Sequence, residues 1–191
     1  MITLIRLTSE NLKKGVFISK VNKLKCKFCT VQSSLRGRLL QTYCCSWYGC
    51  QSWDLSSRSI GCMNIEWNKA VRRTLLLPYK TRTCLLPQIV HGKSFTVQHR
   101  SRVSKFLVSF NESENSHVFY IGKRAKLYAH GALGRNSTRC RDTVGVESTP
   151  RDLLARAQAI RELMDVRDDI LALHGFIHDD IEDVLNSLCC Y

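Results

Sequence analysis

Lysine and arginine are the residues in this chain whose type and spacing carry the most chemistry. Lys69, Arg72 and Arg73 share one face of a helical pattern, Lys80 and Arg82 follow Pro78, and Arg124, Lys126 and Arg135 form a further basic stretch. Arg100, Arg102, Lys105 and Lys123 add to it. Ammonium and guanidinium groups donate charge-assisted hydrogen bonds to phosphate oxygens and release counterions, so such a surface binds nucleic-acid backbones without reading sequence. The eight residues Lys69, Arg72, Arg73, Lys80, Arg82, Arg124, Lys126 and Arg135 are therefore the nucleic-acid-binding candidates. A merely solvated basic face is the competing reading.

Other groups give catalysis little to work with. Cys26 and Cys29 have the spacing of a zinc pair, but no second Cys-x-x-Cys accompanies them, and Phe28 continues an apolar stripe. Scattered reduced thiols are the simpler account. His174 and His178 lie four apart with Gly175 between them and lack the glutamate of His-Glu-x-x-His chemistry. Asp168-Asp169 falls inside a helical pattern and Asp179-Asp180 opens one, so both pairs are expected to be helix-surface or helix-start acids rather than a two-metal polymerase pair. No glycine-rich phosphate loop and no nucleophile elbow occurs. The residues imply no catalytic centre, no metal and no cofactor.

The charge balance points the same way. Net charge is +13, but residues 1–140 hold 24 Lys and Arg against 5 Asp and Glu while residues 141–191 hold 5 against 11. This predicts a basic region over 1–145 and an acidic helical segment over 146–191, the latter free to lie against the former or to present a separate surface. A hydrophobic fraction of 44% supplies a core. The opening Met1-Ile2-Thr3-Leu4-Ile5-Arg6 has no apolar core of signal-peptide length, which implies an intracellular chain whose ten cysteines are reduced. The longest aliphatic run is Leu75-Leu76-Leu77, so no membrane partner is expected.

Helices must position these groups. Phe17, Val21, Leu24 and Phe28 recur at helical spacing among lysines, and Ser33 and Ser34 offer caps for a helix carrying Leu35, Leu39, Tyr43 and Trp47. Ile60, Met63, Trp67, Ala70, Val71, Thr74 and Leu75 fall on one side of the next helix, which Pro78 stops. Phe95, Val103, Phe106 and Phe110 predict a helix over 95–111, with another running through Tyr128 and a turn over Gly131 to Asn136. Thr149-Pro150-Arg151-Asp152 reads as a helix start, Gly175 as a stop, and Ile181, Val184, Leu185 and Leu188 as a last short helix. Nothing alternates with period two, so the fold class is all-α, an irregular multi-helix bundle with an acidic helical appendage. Trp47 and Trp67 sit on apolar stripes and are expected to anchor the core.

The stretch Leu39-Leu40-Gln41-Thr42-Tyr43-Cys44-Cys45-Ser46-Trp47-Tyr48-Gly49-Cys50, followed by Trp53-Asp54-Leu55, resembles the segment after the polymerase palm in jockey-type non-LTR retrotransposon reverse transcriptases. The likeness continues through Trp67 to Arg73, Leu77 to Arg82 and Leu85-Leu86-Pro87. Later landmarks are Arg102 to Phe106, Leu133-Gly134-Arg135-Asn136 and Arg161 to Asp168. Trp47 departs from the pattern, standing where a smaller residue is usual. The resemblance implies a helical thumb-like and post-thumb region that helps grip template and primer, with the catalytic aspartates in the palm upstream. The expected function is a non-catalytic fragment of an RNA-directed DNA polymerase with residual, non-specific RNA or DNA backbone binding; the alternative is a structural or protein-interaction helical module.

Overall fold

The computed structural model describes residues 2–141, 151–174 and 179–190, and among them it is all-α. Its α-helices are α1 Ile2–Lys27, α2 Ser33–Leu39, α3 Arg58–Leu75, α4 Leu86–Ile89, α5 Phe95–Ser109, α6 Ser116–Leu127, α7 Ala132–Arg141, α8 Arg151–His174 and α9 Asp179–Cys190. Thr149, Pro150, Gly175, His178 and the 145/146 charge boundary lie outside the described residues. No described helix is long and apolar enough to cross a membrane.

Two compact units emerge, one of Met1–Ser46, Ile65–Ser94 and Ser148–Tyr191, the other of Trp47–Asn64 and Phe95–Glu147. The division falls within α3, whose predicted apolar face is realised in full: Ile60, Met63, Trp67, Ala70, Val71, Thr74 and Leu75 are all buried. The helix stops before Pro78 is reached. Leu76 adopts a left-handed φ of 53°, and the Leu77 amide returns to the Arg72 carbonyl at 2.9 Å, closing a Schellman turn.

In the first unit, Phe17, Val21 and Leu24 of α1 are buried as expected, whereas Phe28, the last of that stripe, lies past the end of α1 and is exposed, and α8 packs on α2, α4 and α9. The second helix departs from expectation. From Leu40 to Cys44 the ladder widens to a π turn, with the Cys45 amide bonded to the Leu40 carbonyl at 3.2 Å. The inward face consists of Ser33, Arg36, Gly37, Leu40 and Cys44, one residue on from the expected stripe and already so before the π turn begins, and Leu35 and Tyr43 are exposed. Nor does a serine hydroxyl cap α2: Gln32 takes the N-cap position, and the Ser33 amide donates to the Asp168 carboxylate.

That carboxylate corrects a second expectation. Asp169 is exposed as a helix-surface acid should be, but the Asp168 side chain is buried with Arg36 at 3.5 Å and Arg167 at 3.7 Å. Arg167, with no exposed surface, donates to the carbonyls of Leu75 at 2.8 Å and Leu76 at 2.9 Å. A cation thus meets the negative end of α3 where its last carbonyls lack helical partners. α8 and α9 therefore contribute apolar core through Ala157, Ile160, Met164, Leu185 and Cys189 and also an internal ion network.

The second unit is built on α5, whose buried residues are Phe95, His99, Val103 and Leu107. Phe106 and Phe110, expected on its apolar stripe, are only half-buried. Trp47 meets the Phe95 ring edge-on at 4.9 Å, and His99 Nε2 lies 2.7 Å from the Cys50 carbonyl oxygen. The predicted turn over Gly131 to Asn136 is instead mostly helix, since α7 begins at Ala132. Gly134 is there for closeness rather than for a bend: a Cβ would overlap the Tyr128 carbonyl.

Candidate nucleic-acid interface

The eight candidate residues divide by what already holds them. Within the first unit, Lys69 and Arg73 lie four apart on the outer side of α3 and both are exposed. Lys69 makes a surface pair with Glu66 at 3.3 Å, which also takes Lys14 at 3.6 Å. Pairs of this kind contribute little and leave the ammonium available to a phosphate.

Arg72 has another task. Its Nε and Nη2 donate to the Thr81 carbonyl at 3.2 and 2.6 Å, and the Thr81 hydroxyl bonds the Pro78 carbonyl at 2.6 Å. Burial draws this guanidinium below its ordinary pKa, while leaving it charged at neutral pH. The effect is to staple the Pro78 to Arg82 turn to α3. The turn is fixed at its far end too, where the Arg82 amide donates to the Cys189 carbonyl at 3.0 Å. With Thr81 buried between them, Lys80 and Arg82 project outward, Lys80 over the exposed Tyr79 ring at 5.7 Å. The first unit thus presents Lys69, Arg73, Lys80 and Arg82 to solvent on a braced scaffold.

In the second unit Arg135 is fully engaged. Nε and Nη2 reach the Asp54 carboxylate at 2.8 and 2.6 Å, and Nη1 donates to the His130 carbonyl. The neighbouring Asn136, wholly buried, accepts from the Leu55 amide at 2.8 Å and donates to the Trp53 carbonyl at 2.7 Å. Burial alone would raise the Asp54 pKa; the Ser56 hydroxyl and amide and the Arg135 guanidinium outweigh it and hold the carboxyl below its ordinary value. Two separated stretches, Trp53-Asp54-Leu55 and Arg135-Asn136, are thereby clamped together. Lys126 is held as well, donating to the Leu107 carbonyl at 2.6 Å and the Asn111 side chain at 2.8 Å. Arg124 remains exposed, its guanidinium 5.7 Å from the Tyr120 ring.

Other chemistry is sparse. Cys26 and Cys29 are both exposed, and no cluster of three or more His, Cys, Asp or Glu side chains fit for a metal occurs among the described residues. Burial pushes the Cys44 thiol up to about 11 against the pull of Lys20, which makes it a poor nucleophile. A cavity of about 680 Å³ in the first unit is lined by Arg38, Gln41, His91, Arg161, Glu162 and Asp165 among others. Burial, Arg161 and Arg38 lower the His91 pKa, whereas burial, Asp168 and Asp169 raise that of Asp165. The cavity mixes two cations with two acids and so does not select one charge.

The periodicity of the sequence left one group unmarked. Val118, Phe119, Tyr120, Ile121, Leu127 and Tyr128, along α6 and at its end, are all exposed, in a helix with no acidic residue. The basic cluster Lys123, Arg124 and Lys126 flanked by the aromatic residues Phe119, Tyr120 and Tyr128 was the available signal. No protein-family model, no curated protein and no solved structure matches this chain.

Proposed function

We propose that this chain is a non-catalytic, post-palm fragment of a retrotransposon reverse transcriptase whose biochemical activity is non-specific contact with RNA or DNA backbones. The observation that carries the reading is the first unit's exposed cationic set, Lys69, Arg73, Lys80 and Arg82, held on α3 and its stapled turn. Supporting it are the net charge of +13 and the family resemblance of the sequence. Phosphate contacts position a protein on nucleic acid without specifying sequence, and these side chains suit that role. Their partner is a nucleic-acid backbone, no cofactor is required, and the reaction chemistry belongs to a palm elsewhere in the polymerase.

Gel retardation with single-stranded and duplex oligonucleotides of unrelated sequence tests this. Binding of all of them is expected, and Lys69→Glu with Arg73→Glu should weaken it without loss of helicity. Failure to retard any oligonucleotide at low salt removes the binding role. Template-directed nucleotide incorporation by the purified chain would overturn the non-catalytic assignment.

A further inference from the structure

Among the described residues, helix α6 packs on α7 and, at Gly122, on the Phe110 ring. A Cβ at Gly122 would lie 2.5 Å from the Phe110 ring, so the glycine lets that ring pack directly on the helix backbone. The Asn115 side chain fixes the start of the helix by accepting from the His117 and Val118 amides at 3.0 and 3.3 Å. At roughly 100° per residue, Tyr120, Arg124 and Leu127 lie within about 40° of the direction opposite Gly122. Their exposure agrees, at 58% for Tyr120 and 76% for Leu127, with Arg124 exposed as well. Lys123 adds a second exposed cation on this side, and α6 carries no acidic residue.

We infer that this face of α6 is a platform for single-stranded nucleic acid, with Tyr120 stacking on an unpaired base while Lys123 and Arg124 contact the flanking phosphates. The inference rests on the reading of the chain as a nucleic-acid binder and names the form it prefers. A solvent-facing aromatic ring beside cations matches what a flexible strand offers, a π-face and a phosphate on each nucleotide. Arg124, its guanidinium 5.7 Å from the Tyr120 ring centroid, stands beside the proposed base site. Duplex DNA keeps its bases stacked inside and meets only the cations. An interfacial membrane helix would segregate its cations from its apolar residues, whereas here they share one face.

The test uses the full chain and a 20-nucleotide oligo-dT carrying a central 2-aminopurine, free and annealed to an oligo-dA with thymidine opposite the 2-aminopurine. The single strand should bind about tenfold more tightly than the duplex at equal salt, with quenching of the 2-aminopurine on binding. Tyr120→Ala should weaken single-strand binding by roughly tenfold, in line with the loss of one stacked base, and leave duplex binding unchanged; Tyr120→Trp should restore it. The side chain is mostly exposed, so unchanged far-UV circular dichroism is expected for both variants. Duplex and single strand bound equally, with no effect of Tyr120→Ala, would overturn the platform and leave backbone binding standing. Binding of neither form would overturn both, as would Tyr120-dependent binding to phosphatidylserine vesicles in place of oligonucleotides overturn the choice of occupant.

Discussion

Replacing Arg167 with methionine removes a guanidinium with no exposed surface while keeping most of its volume. Four groups each lose a contact together. The carbonyls of Leu75 and Leu76 lose donors at 2.8 and 2.9 Å, the Ser33 hydroxyl loses one at 3.2 Å, and buried Asp168 is left with Arg36 and the Ser33 amide. Leaving the Leu75 and Leu76 carbonyls without their donors costs about 1–3 kcal/mol each, together a large part of the ~5–15 kcal/mol that holds a typical domain together. With a mid-range loss of about 4 kcal/mol and a urea dependence of about 2 kcal/mol per molar, the midpoint followed by far-UV circular dichroism should fall by roughly 2 M. Arg73→Met, exposed on α3, supplies the control and should stay within about 0.5 kcal/mol of the parent. The double variant Arg167→Met with Asp168→Leu should lose less than the two single changes combined, because no carboxylate is left buried with a missing cation. A midpoint shift for Arg167→Met no larger than that of Arg73→Met would refute the claim that this network braces the first unit.

Other consequences follow from the same geometry. Because the folded Asp54 pKa lies below its unfolded value near 3.9, its stabilisation is present above that value and lost as pH falls through the folded one. The melting temperatures of the parent and Asp54→Asn should therefore differ by a steady amount from neutral pH down to about pH 5 and draw together as pH falls below about 4, and a gap that stays constant down to the lowest pH at which the chain is folded would contradict this. A thiol reagent applied to the native chain should label Cys26, Cys29, Cys84 and Cys190 quickly, and leave Cys44 until urea is added; equal rates at Cys44 and Cys26, read by mass spectrometry, would count against its burial. Deleting residues 150–191 removes the core contributions of α8 and α9 as well as Arg167, so the truncated chain should lose helicity in the retained part and not simply bind nucleic acid more tightly. Retained cooperative unfolding with tighter binding would show the segment to be a mask.

The helical character of the chain and the buried side of α3 are legible in the sequence because one uninterrupted period of 3.6 runs from Ile60 to Leu75 and nothing in the tertiary structure breaks it. The second helix is not legible in the same way. Its inward face carries the polar Ser33 and Arg36, which are held by Asp168 and Arg167 from far along the chain, so the apolar Leu35 and Tyr43 fall outside while Leu40 and Cys44 turn inward. Gly131 and Gly134 look like turn residues, yet Gly134 answers to the close approach of Tyr128, a contact that only folding creates. Asp168 looks like a surface acid because its partners Ser33 and Arg36 are more than a hundred residues away along the chain. The same holds for the candidate interface: all eight residues are recognisable as cations, but the engagement of Arg72 by Thr81 and of Arg135 by Asp54 depends on distant backbone. The exposed aromatics of α6 escape a search for buried stripes because they are not buried.

Affinity measured as a function of salt bears most directly on the central claim. Fluorescence anisotropy of a labelled single strand against the full chain, from about 50 to 200 mM KCl, should give a straight line of log K against log salt; the four phosphates neutralised by Lys69, Arg73, Lys80 and Arg82 contribute about −3 to its slope, and Lys69→Glu with Arg73→Glu should take about 1.5 off its magnitude. Absence of binding at the low-salt end, or an affinity that does not change across the range, would contradict the account.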